Sequence, residues 1–118
     1  MGILQKNVEI SMLLEIYGNL LTEKQIEFLD SYYNNDLSLS EIAENNGITR
    51  QAARDNIKKG EQKLFEYEEK LGFMKKTMLQ EQKISDIIEK ITKIKTKSSD
   101  KKVQTILEEV RIELNCLV

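Results

Sequence analysis

A chain of 118 residues, 40% apolar and 32% charged with a formal net charge of −2, suits one soluble domain with a core or a small domain carrying a helical arm, and excludes two full domains. Proline is absent and Leu, Ile, Glu and Lys dominate, so the expected fold is all-α. With no histidine and a single cysteine, Cys116, the chain lacks the commonest general base, a disulfide and a zinc site; no enzymatic activity, metal or cofactor is expected.

Val8, Ile10, Met12, Leu13, Leu14, Ile16, Tyr17, Leu20 and Leu21 crowd the first segment. They are too many for one narrow stripe, which predicts a helix over 8–21 covered on two sides. Thr22 with Gln25 three residues on is a capping box that opens a second helix, expected to bury Ile26, Leu29 and Tyr33 and to end at Asn34, Asn35 and Asp36. Ser38 and Glu41 repeat the spacing and predict a third helix over 39–46, with Ile42 and Ala43 turned inward. Gly47 supplies the turn. Thr49 caps a fourth helix in which Ala53, Ile57, Gly60, Leu64, Tyr67 and Leu71 recur at alternating fours and threes up to Gly72. Gly60 on that stripe is expected to admit the close approach of another backbone.

After Gly72, Ile84, Ile87, Ile88, Ile91 and Ile94 mark a long amphipathic helix expected to start beyond Lys75. The stretch 96–102, TKSSDKK, breaks it, and Ser99 or Asp100 caps a last helix with Val103, Ile106, Leu107, Val110, Leu114 and Leu117 inward. Folded back, the two make a hairpin. The expected division is a helix-turn-helix domain over 1–72 and a helical extension over 73–118, packed on the first domain or on a second copy. A homodimer is expected because the first helix is apolar on so much of its surface. Cys116 is expected to be a small apolar packing residue.

Two helices joined by a short turn containing glycine, with a small residue at their crossing, form a helix-turn-helix. Ala43, Gly47, Ile48, Ala53 and Ile57 occupy those places. Away from that scaffold point Thr49, Arg50, Gln51, Arg54 and Lys58, residue types able to hold phosphates and base edges. Residues 1–48 hold two basic and eight acidic side chains, and 49–118 sixteen basic and twelve acidic, so the positive field is local. The plainer alternative is that Arg50, Arg54 and Lys58 are the wet face of an amphipathic helix.

The stretch 21–64, LTEKQIEFLDSYYNNDLSLSEIAENNGITRQAARDNIKKGEQKL, resembles region 4 of sigma-70 class factors, of the winged-helix-like DNA-binding superfamily. Taken nearly whole, with the SYYNNDLSLSEIA segment and the lysine and isoleucine rich arm, the chain is similar to the YlxM family of small bacterial helix-turn-helix proteins. That resemblance implies a cytoplasmic regulatory protein of the signal recognition particle pathway, acting on the Ffh GTPase or its RNA. The likeness to sigma factors implies instead sequence-specific DNA binding as a dimer, with the fourth helix in the major groove and Thr49, Arg50, Gln51, Arg54 and Lys58 as contacts. Asp55 and Asn56 depart from the sigma pattern, which more often has a hydroxyl and a basic residue there; Asp55 can accept from a cytosine amino group or pair with Lys59. The lysines at 75, 76, 83, 90, 93, 95 and 97 read as a partner surface or, interspersed with Glu81, Asp86 and Glu89, as solubility. No secretory signal and no apolar run of membrane-spanning length is seen, so an intracellular protein without membrane insertion is expected.

Overall fold

A computed structural model describes residues 5–117. Among them are six α-helices and no strand, an all-α fold. The chain divides into two compact units, one ending at Met74 and one beginning at Lys75.

In the first unit α1 (Lys6–Tyr17) runs into a short 3-10 turn, Gly18–Leu20, and is followed by α2 (Glu23–Tyr33), α3 (Leu39–Asn46) and α4 (Arg50–Leu71). Both predicted capping boxes are present. Thr22 Oγ1 accepts from Gln25 N at 3.2 Å while Gln25 Oε1 accepts from Thr22 N at 3.1 Å, and Ser38 and Glu41 exchange the same bonds. Each box satisfies two amides that a helix start leaves without intrahelical partners. The long α4 is the hub, packing on α1, α2 and α3. Ile10, Leu13 and Tyr17 of α1, Leu29 of α2, Ile42 of α3 and Ala53 and Leu64 of α4 are buried together, each large side chain contributing about 1.5–3 kcal/mol.

Several expectations give way here. The first helix stops at Tyr17 rather than Leu21: Gly18, a poor helix former, begins the 3-10 turn, and the Leu21 amide bonds the Gly18 carbonyl at 2.9 Å. In α2 the buried pair is Phe28 and Leu29, with Ile26 and Tyr33 only half-buried. Gly60 admits a side chain instead of a backbone: a Cβ there would lie 2.9 Å from Leu29 Cδ1 and 3.2 Å from Leu29 Cγ. Leu71 is exposed, because a 3.5-residue repeat slips by about 20° per heptad on a straight helix and has left the core face by its third heptad.

The fifth helix, α5 (Phe73–Lys97), starts at once after Gly72 rather than beyond Lys75. Gly72 turns the chain at φ 65°, a conformation open to glycine. The Phe73 amide then donates to Tyr17 Oη at 3.1 Å and the Met74 amide to Glu68 Oε1 at 2.9 Å, while Tyr17 Oη donates to the same Glu68 oxygen at 2.6 Å. Two amides at a helix start thus find acceptors from α1 and α4. The Tyr17 ring meets those of Tyr67 and Phe73 at centroid distances of 5.9 and 6.4 Å.

In the second unit α5 and α6 (Lys101–Asn115) are tied by an ion pair from Lys95 Nζ to Glu108 Oε2 at 2.5 Å. Arg111 holds the other Glu108 oxygen through Nη2 at 2.5 Å. Asp100 caps α6, its Oδ1 accepting from Lys102 N and Val103 N. Ile84 and Ile91, one heptad apart, are buried, and Leu107 and Leu114, also one heptad apart, are half-buried. Of the other residues expected inward, Ile87, Ile94, Val103, Ile106, Val110 and Leu117 are exposed and Ile88 is half-buried. Within this unit each helix covers only a narrow line of the other, less than the full width of its apolar stripe. Cys116, expected to pack, is exposed.

Candidate nucleic-acid interface

The corner between α3 and α4 is built from Gly47, at φ 64° and ψ 34°. Its left-handed turn lets the Ile48 amide reach back to the Ala43 carbonyl at 3.0 Å, ending α3. Thr49 Oγ1 then accepts from Ala52 N at 3.0 Å and starts α4. Ala43, Ala53 and Ile57 are buried at the crossing and Ile48 is half-buried, so a small side chain on each helix lets the pair nest.

With that face turned inward, Thr49, Arg50, Gln51, Arg54 and Lys58 are all exposed. Arg50, Arg54 and Lys58 stand four residues apart and form one ridge spanning about 12 Å along the axis, the width of a major groove at about 12 Å. None of the three has an ion pair or hydrogen-bond partner among the described residues. The Thr49 hydroxyl oxygen serves the cap, leaving its proton free to donate. The first amides of α4 carry the positive end of the helix dipole, which favours an anion there.

Asp55 is held by Gln51, whose Nε2 donates to Asp55 Oδ1 at 3.0 Å. Of its two alternatives, the pairing with Lys59 is absent among the described residues. The bond draws the carboxylate along its own helix, and it engages part of the Gln51 amide as well. Asn56 turns away from the ridge and bonds the Ala52 carbonyl at 3.0 Å.

Beside the ridge lies a cavity of about 140 Å³ lined by Lys6, Tyr32, Tyr33, Leu39, Arg54, Ile57, Lys58 and Glu61. Lys6 Nζ is 3.3 Å from Glu61 Oε2, and the Tyr33 hydroxyl donates to Glu61 Oε1. Burial, then the hydrogen bond to the Glu61 carboxylate and its charge, pushes the Tyr33 phenol well above its ordinary value. The rings of Tyr32 and Tyr33 meet edge to face at 5.0 Å. Only Arg54 and Lys58 of this set stand out as surface cations in the sequence pattern. Lys6, Tyr32 and Glu61 come from α1, α2 and the middle of α4, and no local rule links them.

Among the described residues no group of three or more His, Cys, Asp or Glu side chains is placed to hold a metal ion, and no helix is long and apolar enough to cross a membrane.

Residues 4–110 match the family described as "Putative helix-turn-helix protein, YlxM / p13 like", UPF0122. A UPF0122 protein of Fusobacterium nucleatum is 54% identical over 93 residues, covering 77% of this chain and 88% of its own. One from Clostridium acetobutylicum is 40% identical over 112 residues, 95% of this chain and 97% of its own. A third, from Clostridium botulinum, is 46% identical over 98 residues, 83% of this chain and 89% of its own. With its corner at Gly47 and one polar face of α4 exposed, this chain belongs to the UPF0122 family of YlxM and p13-like helix-turn-helix proteins.

Proposed function

We propose that this protein is a regulatory helix-turn-helix protein that binds nucleic acid through the first half of α4 and takes part in the signal recognition particle pathway, through the particle's RNA or the Ffh GTPase. The observation that supports the nucleic-acid part is the ridge of Arg50, Arg54 and Lys58, three exposed cations without an ion-pair partner among the described residues. Intramolecular pairing would remove such charges from use, whereas phosphate contacts draw on unpaired ones. The pathway is what the YlxM resemblance implies. Fluorescence anisotropy with the particle's RNA, and the GTPase rate of Ffh with and without this protein, test it. Binding that falls with salt and weakens in Arg54→Gln, or a changed turnover, is expected. No binding at low salt together with an unaltered rate overturns the proposal.

A second reading is sequence-specific binding of duplex DNA as a homodimer. Gln51 and Arg54 favour it, since they lie near the start of α4 and can make paired bonds to adenine and guanine edges. A gel shift on genomic fragments, with sedimentation to fix the number of copies, distinguishes it: discrete salt-dependent bands are expected. Retardation that is equal on all fragments counts against it.

A further inference from the structure

The cavity between α2, α4 and the starts of α1 and α3 has a charge pattern that stands whether or not α4 enters a groove. Lys6, Arg54 and Lys58 bring three positive charges to its wall and Glu61 one negative. Lys6, at 3.3 Å, and the Tyr33 hydroxyl together answer the Glu61 carboxylate. That leaves Arg54 and Lys58, neither with an ion-pair or hydrogen-bond partner among the described residues, on the wall of one concave space. The Tyr32 hydroxyl, also without a hydrogen-bond partner there, adds a neutral donor. Leu39 and Ile57 complete the wall, and apolar walls strengthen the field of charges beside them.

Size narrows the ligand. At about 140 Å³ the space is smaller than the roughly 300 Å³ at which sites for drug-sized molecules begin. It equals a few waters at about 30 Å³ each. A whole nucleotide is too large, and a single tetrahedral oxyanion fits. Two unanswered cations match a dianion, and the planar fork of an arginine suits phosphate oxygens. We propose that this cavity is an oxyanion pocket for a phosphoryl group, held by Arg54, Lys58 and the Tyr32 hydroxyl, with Lys6 neutralising Glu61. The group has two possible sources, a phosphate of a bound nucleic acid or a free phosphorylated compound. In the second case the pocket holds its compound while nucleic acid is bound elsewhere on α4.

The test is a titration of the full ¹⁵N-labelled chain with inorganic phosphate, followed by NMR against sodium chloride at equal ionic strength. Saturable shifts at Tyr32, Tyr33, Leu39, Ile57 and Glu61 with phosphate alone are expected. Unsaturated shifts common to both salts, or saturable shifts confined to the first amides of α4, overturn the pocket. Arg54→Gln and Lys58→Gln, both at exposed positions, should weaken phosphate several-fold. Glu61→Gln should tighten it several-fold by removing a like charge, a gain that a poorly folded variant cannot produce; weaker or unchanged binding in that variant also overturns the proposal. The titration contains no nucleic acid, so its result is independent of the proposed function. Phosphate added to an oligonucleotide complex at constant ionic strength then separates the sources: displacement assigns the pocket to a phosphate of the bound nucleic acid, and joint binding assigns it to a free compound.

Discussion

Gly60 sits where the sequence pattern asks for an apolar residue, and Leu29 explains it. An alanine there gains about 1 kcal/mol of helix propensity, yet its methyl would press 2.9 Å from a Leu29 side chain that is fully buried. Overpacking of this kind costs about 1–3 kcal/mol, so Gly60→Ala should lower stability by about 1 kcal/mol in urea unfolding, and Leu29→Ala should relieve the clash when the two are combined. Additive losses in the double variant would refute this. Tyr17 makes a comparable case in hydrogen bonds. Tyr17→Phe removes the acceptor of the Phe73 amide and a donor to Glu68, and a buried bond lost on one side costs about 1–3 kcal/mol. Faster hydrogen exchange at Phe73, with Leu29 and Ile42 amides unaffected, is the expected signature.

Neither effect was legible in the sequence. Tyr17 and Glu68 are 51 residues apart, and Gly60 meets Leu29 only once α2 has crossed α4. Bonds that close within one turn are another matter. The boxes at Thr22 with Gln25 and Ser38 with Glu41, the span of α3, and the turn at Gly47 follow from rules that act over three or four residues, and these the pattern anticipated.

At the scale of whole helices the same contrast holds. The ridge on α4 could be read from spacing alone, because residues four apart on a helix share a face whatever surrounds it. The cavity beside it could not, since it draws on four helices. The hairpin of α5 and α6 shows a stripe read too broadly: period marks what is apolar, and only a neighbour decides what is covered. That hairpin also has a pH-dependent tie. Arg111 first, and Lys95 next, hold the Glu108 carboxyl at about 2, below its ordinary 4.5. A depressed carboxyl stabilises the folded form above the ordinary value and stops doing so as pH falls through the folded one. The α6 amides should therefore lose protection between about pH 4.5 and about pH 2, and Glu108→Gln should flatten that dependence relative to the parent chain. High salt should weaken the tie, since the pair is partly exposed. An identical acid profile for the variant would remove Glu108 as the cause.

For the molecule as a whole, charge is unevenly shared, with two basic and eight acidic residues up to position 48 and sixteen basic against twelve acidic after it. Where nucleic acid engages only the α4 ridge, three cations release about three counterions, so log K against log salt should fall with a slope of roughly −3 per copy. Arg54→Gln should lower its magnitude by about one. Were the seven lysines of α5 phosphate contacts as well, the slope would approach −9, and measuring it decides between a solvated α5 and a second contact surface.

The acceptors of the Phe73 and Met74 amides lie upstream, on Tyr17 and Glu68. A chain emerging from the ribosome, in order and at about 5–20 residues per second, carries both side chains out before the residues they serve. The opening turn of α5 therefore forms on a template already delivered, and its nucleation need not wait for anything still inside the exit tunnel.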